Sequence, residues 1–226
     1  MLTKLVLCSA ITATLFSGYA LADNAGPVTP INYIVAITPN TESMRIAGTE
    51  TITLNMAEST NKIQFNSTNQ KLCHVRFDGQ PVHAVESNSD KQLTTITLKE
   101  PANAGQHSLT FSFVGNIERD LHGMFVQPYA KRNGVKGQFL TATFEGSDTQ
   151  RIFPGWDQTS YSAPVQLSIT VPSTWAAWAS MPIEHKETHG EFTTIAFKSI
   201  SDLGSNLIEF SGGSLLQSNV NIAAKN

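Results

Sequence analysis

Apolar and polar residues alternate along much of this chain with the period of two that marks half-buried strands. Ile31 to Ile37 is the first such run, closed by a Pro39-Asn40 turn, and Met44 to Met56 alternates over much of its length. Ile63–Phe65, Cys73–Phe77, Leu93–Leu98 and Ser108–Gly115 continue the pattern. Between them stand turn-formers: Asp78-Gly79, Asn88-Ser89-Asp90 and Asn103-Ala104-Gly105. Short strands at roughly ten-residue spacing predict a β-sandwich or related sheet stack. From Glu118 to Gly137 the texture becomes polar and irregular, with Tyr129 to Gly134 reading as a turn. Strands resume at Gln138–Thr143, Val165–Val171, Thr193–Phe197 and Leu207–Phe210. No ten-residue helix and no internal repeat emerges after residue 22. One all-β domain is expected over 23–212, followed by a flexible Ser/Gly/Asn/Gln-rich tail over 213–226, in which Val220-Asn221-Ile222 could add a weak edge strand.

The first 22 residues read differently. Met1 to Lys4 carries one positive charge, Leu5 to Phe16 is an apolar run, and Ala20-Leu21-Ala22 gives a small-x-small cleavage pattern before Asp23. The run is shorter than the ~18 residues a spanning helix needs. The expectation is a cleaved export signal, with a periplasmic or secreted protein and no membrane anchor after cleavage. Cys8 lies inside the apolar run and lacks the small preceding residue of a lipid-modified cysteine. Taking Lys4 from the 15 Lys and Arg leaves 14 against 18 Asp and Glu, a net charge near −4. No Lys/Arg stripe points to a nucleic-acid partner. Without residue 8 a single cysteine remains, Cys73, so no intramolecular disulfide is expected and Cys73 reads as a buried free thiol.

The most telling stretch is Thr143-Phe144-Glu145-Gly146-Ser147-Asp148-Thr149-Gln150-Arg151-Ile152-Phe153-Pro154-Gly155-Trp156-Asp157-Gln158. It resembles the T-Q-F-E-x-T-D-A-R-x-A-F-P-C-W-D-E-P segment of M1-family zinc aminopeptidases, near the end of their N-terminal domain. Tyr33-x-x-x-Ile37-x-Pro39 followed by Gly48-Thr49-Glu50-Thr51-Ile52 is similar to that domain's opening. Gly105-Gln106-His107-Ser108-Leu109 with Phe111 to Gly115, then Leu121 to Phe125, Val171-Pro172 and Ser180-Met181-Pro182, match it in order. The resemblance runs from Tyr33 to about Phe210. It implies the large saddle-like β-sandwich of that domain, in which the glutamate at Glu145 binds the free amino terminus of a substrate. A carboxylate in a partly dry pocket pairs with the ammonium group and so selects unblocked peptides. Thr143 stands where the family has glutamine, which shortens that subsite. Arg151 and Asp157 fit the family's Arg and Asp and are expected to form a structural ion pair, with Pro154 and Trp156 as further structural positions. Gly155 and Gln158 replace a Cys and a Glu, which implies relaxed constraint or a different neighbour. No catalytic residue is expected: G-A-M-E-N and H-E-x-x-H are absent from the 226 residues, and the family's zinc would belong to a catalytic domain beyond them.

His185-Lys186-Glu187-Thr188-His189 looks like a zinc motif, but H-E-x-x-H works on a helix with the acid directly after the first His. Here the acid is displaced by one, and Pro182 and Gly190 bracket the segment, so a solvated loop is expected. His74, His83, His107 and His122 show no ligand spacing. Asn66-Ser67-Thr68 matches a glycosylation sequon, and Trp175 and Trp178 read first as sheet-face packing. Two functional readings follow. In the first, an interaction module pairs with a separate catalytic metallopeptidase chain and bares an apolar face around Phe144, Phe153 and Trp156. In the second, a free-standing protein binds peptides or another ligand. A remnant of a split gene is a third.

Overall fold

The computed structural model describes residues 26–130, 134, 136–144, 148–156, 161, 163–201 and 208–214. Within them the alternating runs become strands. β1 (Val28–Asn40) and β2 (Arg45–Met56) form a long hairpin. The strand runs on through Pro39-Asn40, and the turn falls at 41–44 instead. Asn40 sets it: its Oδ1 accepts the N–H groups of Glu42 and Ser43 at 3.0 and 2.9 Å. β2 pairs along its length with β8 (Gly105–Asn116), and β8 with β4 (Lys71–Phe77). β4 turns through Asp78-Gly79, both at positive φ, into the short β5 (Gln80–Pro81). On the other flank β1 pairs in parallel with β11 (Val165–Pro172), which continues to β14 (Phe192–Phe197) and β13 (Ile183–His189). These eight strands form one sheet in the order β13-β14-β11-β1-β2-β8-β4-β5.

One face of that sheet is apolar. Tyr33, Val35 and Ile37 of β1, Ile52 and Leu54 of β2, Leu109 to Phe113 at alternate positions of β8, and Leu167 and Ile169 of β11 are all buried. The opposite face carries Thr49, Thr51, Thr53, Thr110 and Ser112, exposed or half-buried. An antiparallel sheet with one solvated face produces this alternation. Two smaller sheets cover the apolar face. β3 (Thr60–Asn66), β7 (Leu93–Ala102) and β6 (Ala84–Asn88) bring Ile63, Phe65 and Ile96, and the Phe65 ring stacks on Phe111 at 5.9 Å. β12 (Ala176–Ala179), β15 (Ile208–Gly213), β10 (Lys136–Phe144) and β9 (Met124–Ala130) bring Leu140, Ala142, Phe144 and Phe210. Phe210 meets Phe197 edge-on at 6.4 Å. The protein is an all-β sandwich, and its one short helix among the described residues is the single turn α1 (Thr149–Ile152).

Three segments depart from expectation. The irregular stretch after Glu118 contains β9, paired with β10 from Met124–Ala142 to Ala130–Lys136. It is an edge strand with only Met124 and Phe125 buried, so it carries no alternation to read, and an edge accommodates Pro128. The segment His185–His189 lies within β13, an edge strand exposed along its whole length, rather than in a loop. β15 runs beyond Phe210 to Gly213 because it is paired on both sides, with β10 and β12. Residues 220–222 lie outside the described set.

Asp78 does more than make a turn. Its Oδ1 accepts the Ser108 N–H at 2.9 Å, and its Oδ2 lies 2.7 Å from His107 Nδ1. His107 Nε2 is 2.9 Å from the Asn103 carbonyl. A neutral imidazole has one N–H and cannot serve two acceptors, so this geometry suits the imidazolium. Burial alone would lower the His107 pKa; the hydrogen bonds to Asp78 and Asn103 and the Asp78 charge outweigh it and raise it. Desolvation likewise opposes, and the Ser108 and His107 bonds override it, in lowering the pKa of Asp78. The stabilisation from His107 is therefore present below its ordinary pKa and lost as pH rises through the raised one. That from Asp78 is lost as pH falls through its lowered value. Replacing Asp78 by asparagine should bring the His107 titration, followed by NMR, back down. The stability cost should stay below about 1 kcal/mol, since the Asp78 side chain is about half exposed. An unchanged His107 pKa would refute the pairing.

Candidate functional site

β10 delivers the segment of interest. Leu140, Ala142 and Phe144 point into the core and are fully buried, which fixes the strand's height over the large sheet. Thr143 takes the other face, half-buried, opposite Glu209 of β15. The Thr143 N–H donates to the Gly123 carbonyl at 2.8 Å, so the chain is tied down one residue before Phe144. Glu145 follows and lies outside the described residues, as does Asp157.

The chain returns through α1. Arg151 lies between two carboxylates, with Nε 3.4 Å from Asp148 Oδ1 and Nη1 3.8 Å from Glu118 Oε1. Those separations make a charge cluster rather than tight hydrogen bonds. Asp148 also stands 3.1 Å from His122 Nδ1. Gly123 is required here on two counts. Its φ is +64°, and a Cβ would sit 2.9 Å from the Cβ of Arg151. Arg151 thus has Glu118 and Asp148 as its ion-pair partners among the described residues. Sequence reading missed Glu118, Asp148 and His122. Asp148 sits three residues before Arg151 on one helical turn, a spacing that could have flagged it. Nothing in the sequence brings Glu118 or His122 to the same place.

Pro154, Gly155 and Trp156 are buried. The Trp156 N–H donates to the Tyr33 hydroxyl at 3.1 Å, and its ring leans on Phe65 at 5.5 Å. Gly155 exchanges both backbone hydrogen bonds with Asn66, at 2.8 and 2.9 Å. An added Cβ at 155 would lie 3.2 Å from the Tyr33 ring, so Tyr33 is the neighbour that a side chain here would meet. The apolar face expected around Phe144, Phe153 and Trp156 does not exist: their relative exposures are 0%, 1% and 6%. β1 and β3 of this same chain cover them. In the sequon Asn66 is half-buried, while Ser67 and Thr68 are buried, with Ser67 Oγ 2.6 Å from Thr94 Oγ1. Trp178 is exposed and leans on Phe139 at 6.3 Å, whereas Trp175 is half-buried against the core. Cys73 is half-buried and free.

Glu187 contacts both of its neighbours on the exposed face of β13, at 2.8 Å to His189 Nε2 and 3.6 Å to His185 Nε2. Among the described residues no group of three His, Cys, Asp or Glu is placed to hold a metal ion.

The fold is an all-β sandwich that ends one strand in Thr143-Phe144 and returns through Arg151-x-Phe153-Pro154-x-Trp156. The Peptidase M1 N-terminal domain family matches residues 29–203, and the chain belongs to that family. It is 25% identical over 163 residues to Aminopeptidase N of Acetobacter pasteurianus, covering 72% of this chain and 46% of that protein. It is 23% identical over 181 residues to Aminopeptidase M1-A of Oryza sativa subsp. japonica, covering 76% and 20%. With the Puromycin-sensitive aminopeptidase of Caenorhabditis elegans it shares 24% over 193 residues, covering 82% and 20%. The chain spans between a fifth and just under half the length of these relatives.

Proposed function

We propose that this domain is an exported peptide-interaction module that receives free peptide amino termini at Glu145 beside Thr143. If the domain does act with a metallopeptidase chain carrying the zinc, hydrolysis would belong to that chain. The observation that supports this reading is the firm anchoring of β10 up to Phe144, the residue before position 145. Phe144 is anchored in the core, the Thr143 N–H is tied to Gly123, and the Arg151 cluster holds the returning chain. A recognition carboxylate needs such support, because an ammonium partner rewards only a fixed, partly desolvated acceptor. The export signal over 1–22 belongs to the same proposal.

Glu145→Gln should weaken binding of an unblocked peptide about tenfold or more, the usual loss for a charge-assisted contact, while leaving the melting temperature unchanged. N-acetylated peptides should fail to compete for that subsite. Equal competition by blocked and free peptides in calorimetric titration would reject it. The burial of Phe144, Phe153 and Trp156 favours the free-standing peptide binder over a paired chain, since it removes the apolar docking face a partner was expected to use. Affinity capture from a cell-envelope extract separates the two. A co-purifying zinc-dependent aminopeptidase would establish the pair, and an inactive monomer would point to the free-standing binder or the remnant of a split gene.

A further inference from the structure

The outward face of the eight-stranded sheet carries no charge over its central strands. Outward positions run from Ile34 to Asn40 on β1, Ala47 to Asn55 on β2, Gln106 to Asn116 on β8, Gln166 to Pro172 on β11 and Phe192 to Ala196 on β14. They hold mostly threonine, serine and alanine, with no Asp, Glu, Lys, Arg or His among them. Ile34, Val114 and Phe192 stand on this face 48%, 38% and 50% exposed, so it lies open to solvent in the single chain. A soluble surface ordinarily carries charge at roughly a quarter to a third of its positions. Depletion of charge is the mark of an interface core. Beyond Arg45 at the hairpin end, charge returns at the two sides of the sheet with opposite sign. Lys71 of β4 pairs with Val114, Val114 with Ala47, and Ala47 with Thr38. Ile37 is in register with Ile169, so the row passes from Thr38 to Thr170, then through Thr194 to Glu187 of β13. One row of paired residues thus crosses the sheet from β4 to β13, with a cation at one end, an anion at the other and β1 in the middle.

We infer that this face is the contact surface of a two-fold dimer, in which Lys71 of each copy meets Glu187 of the other. A two-fold axis lying between the copies, close to the direction of β1, exchanges the two ends of that row and makes the charge pair twice. Sheets packed face to face align their strands within about 30°, an arrangement their twist permits. The uncharged middle is complementary to itself, because every hydroxyl both donates and accepts a hydrogen bond. A face of lysines or of glutamates would instead repel its own copy. At about 3.4 Å per residue and about 4.8 Å per strand, the five central strands cover about 800 Å² of sheet plane. One partner contributes about that area to a stable interface. The pairing uses none of the residues assigned to peptide binding. It therefore goes beyond the function proposed above and holds whether or not a metallopeptidase chain is captured.

The test is sedimentation velocity of the purified protein over a range of concentrations. Glu187 has His185 and His189 beside it, so the measurement is made at about pH 8, above the range in which imidazole ordinarily takes its charge. A dimer is expected, with a dissociation constant of about 10 μM or tighter. Thr51→Lys sets a charge in the uncharged middle, next to the axis. It should leave only monomer, with an unchanged far-ultraviolet circular dichroism spectrum. Trp178→Lys, at an exposed position on the four-stranded sheet, should leave the dimer intact. Lys71→Glu and Glu187→Lys should each weaken pairing about tenfold, and the two together should restore it to within about threefold. A native protein that stays monomeric at about 100 μM would overturn the proposal. So would a dimer that Trp178→Lys dissociates and Thr51→Lys does not, or charge swaps whose losses add rather than cancel.

Discussion

Replacing Glu50 by glutamine should abolish a loss of stability that the native protein suffers as pH rises. Glu50 lies on the inner face of β2, opposite Val35 and Phe111, and is 3% exposed. Neither carboxylate oxygen has a hydrogen-bond partner among the described residues. Burial raises its pKa well above the ordinary 4.5, so the folded protein holds the proton that the unfolded chain releases. The stability associated with the neutral form is complete below pH 4.5 and declines as pH climbs from there toward the raised pKa. The slope is at most about 1.4 kcal/mol per pH unit. Denaturant unfolding at pH 5 and pH 8 should show this decline in the native protein and its disappearance in Glu50→Gln. At pH 8 Glu50→Leu should be more stable than the native protein by about 1–4 kcal/mol, the range seen when well-packed apolar residues of similar volume replace buried ion pairs. Parallel pH profiles for native and Gln variants would show that Glu50 is solvated or partnered after all.

The second large effect belongs to Gly48→Val, which should leave little folded protein. A Cβ at 48 would come within 2.4 Å of Phe113 Cζ and 2.8 Å of the Ala36 carbonyl oxygen. The ring can swing; the carbonyl belongs to the adjacent strand and cannot. Overpacking of this kind costs about 1–3 kcal/mol for the smallest change, Gly48→Ala, and valine adds two further methyls to the same clash. Pairing Gly48→Ala with Phe113→Leu should restore only part of the loss, because it relieves the ring and leaves the backbone oxygen in place. Chemical denaturation of the three variants measures this, and a Gly48→Ala protein as stable as the native one would contradict the packing. The glycine is demanded by space rather than by backbone conformation, since Gly48 is not among the positive-φ residues.

What could be read from the sequence was what alternation encodes. β1, β2, β8 and β11 face the core on one side and water on the other, so Tyr33, Ile52, Phe111 and Ile169 announce themselves by parity. The same parity marks Glu50, in phase with Ile46, Ile52 and Leu54, though its chemical interest emerged only when no partner was found beside it. β9 and β6 were invisible because edge strands bury too few residues to impose a pattern. The motif around Trp156 identified the family, yet hydrophobicity alone does not say what covers an aromatic ring. Trp156 is covered by Tyr33 and Phe65, residues some ninety or more positions earlier.

The parallel seam between β1 and β11 carries a consequence for how this protein is made. Tyr33 meets Val165, so the first strand cannot be completed until more than half of the chain has been synthesised. Its hairpin partner β2 is available early, but the other edge of β1 stays raw until then. Contacts this distant in sequence close slowly. On the proposed export route that delay is useful. A chain whose central seam forms late remains threadable while it crosses the membrane, and it locks only once its far half has arrived on the other side.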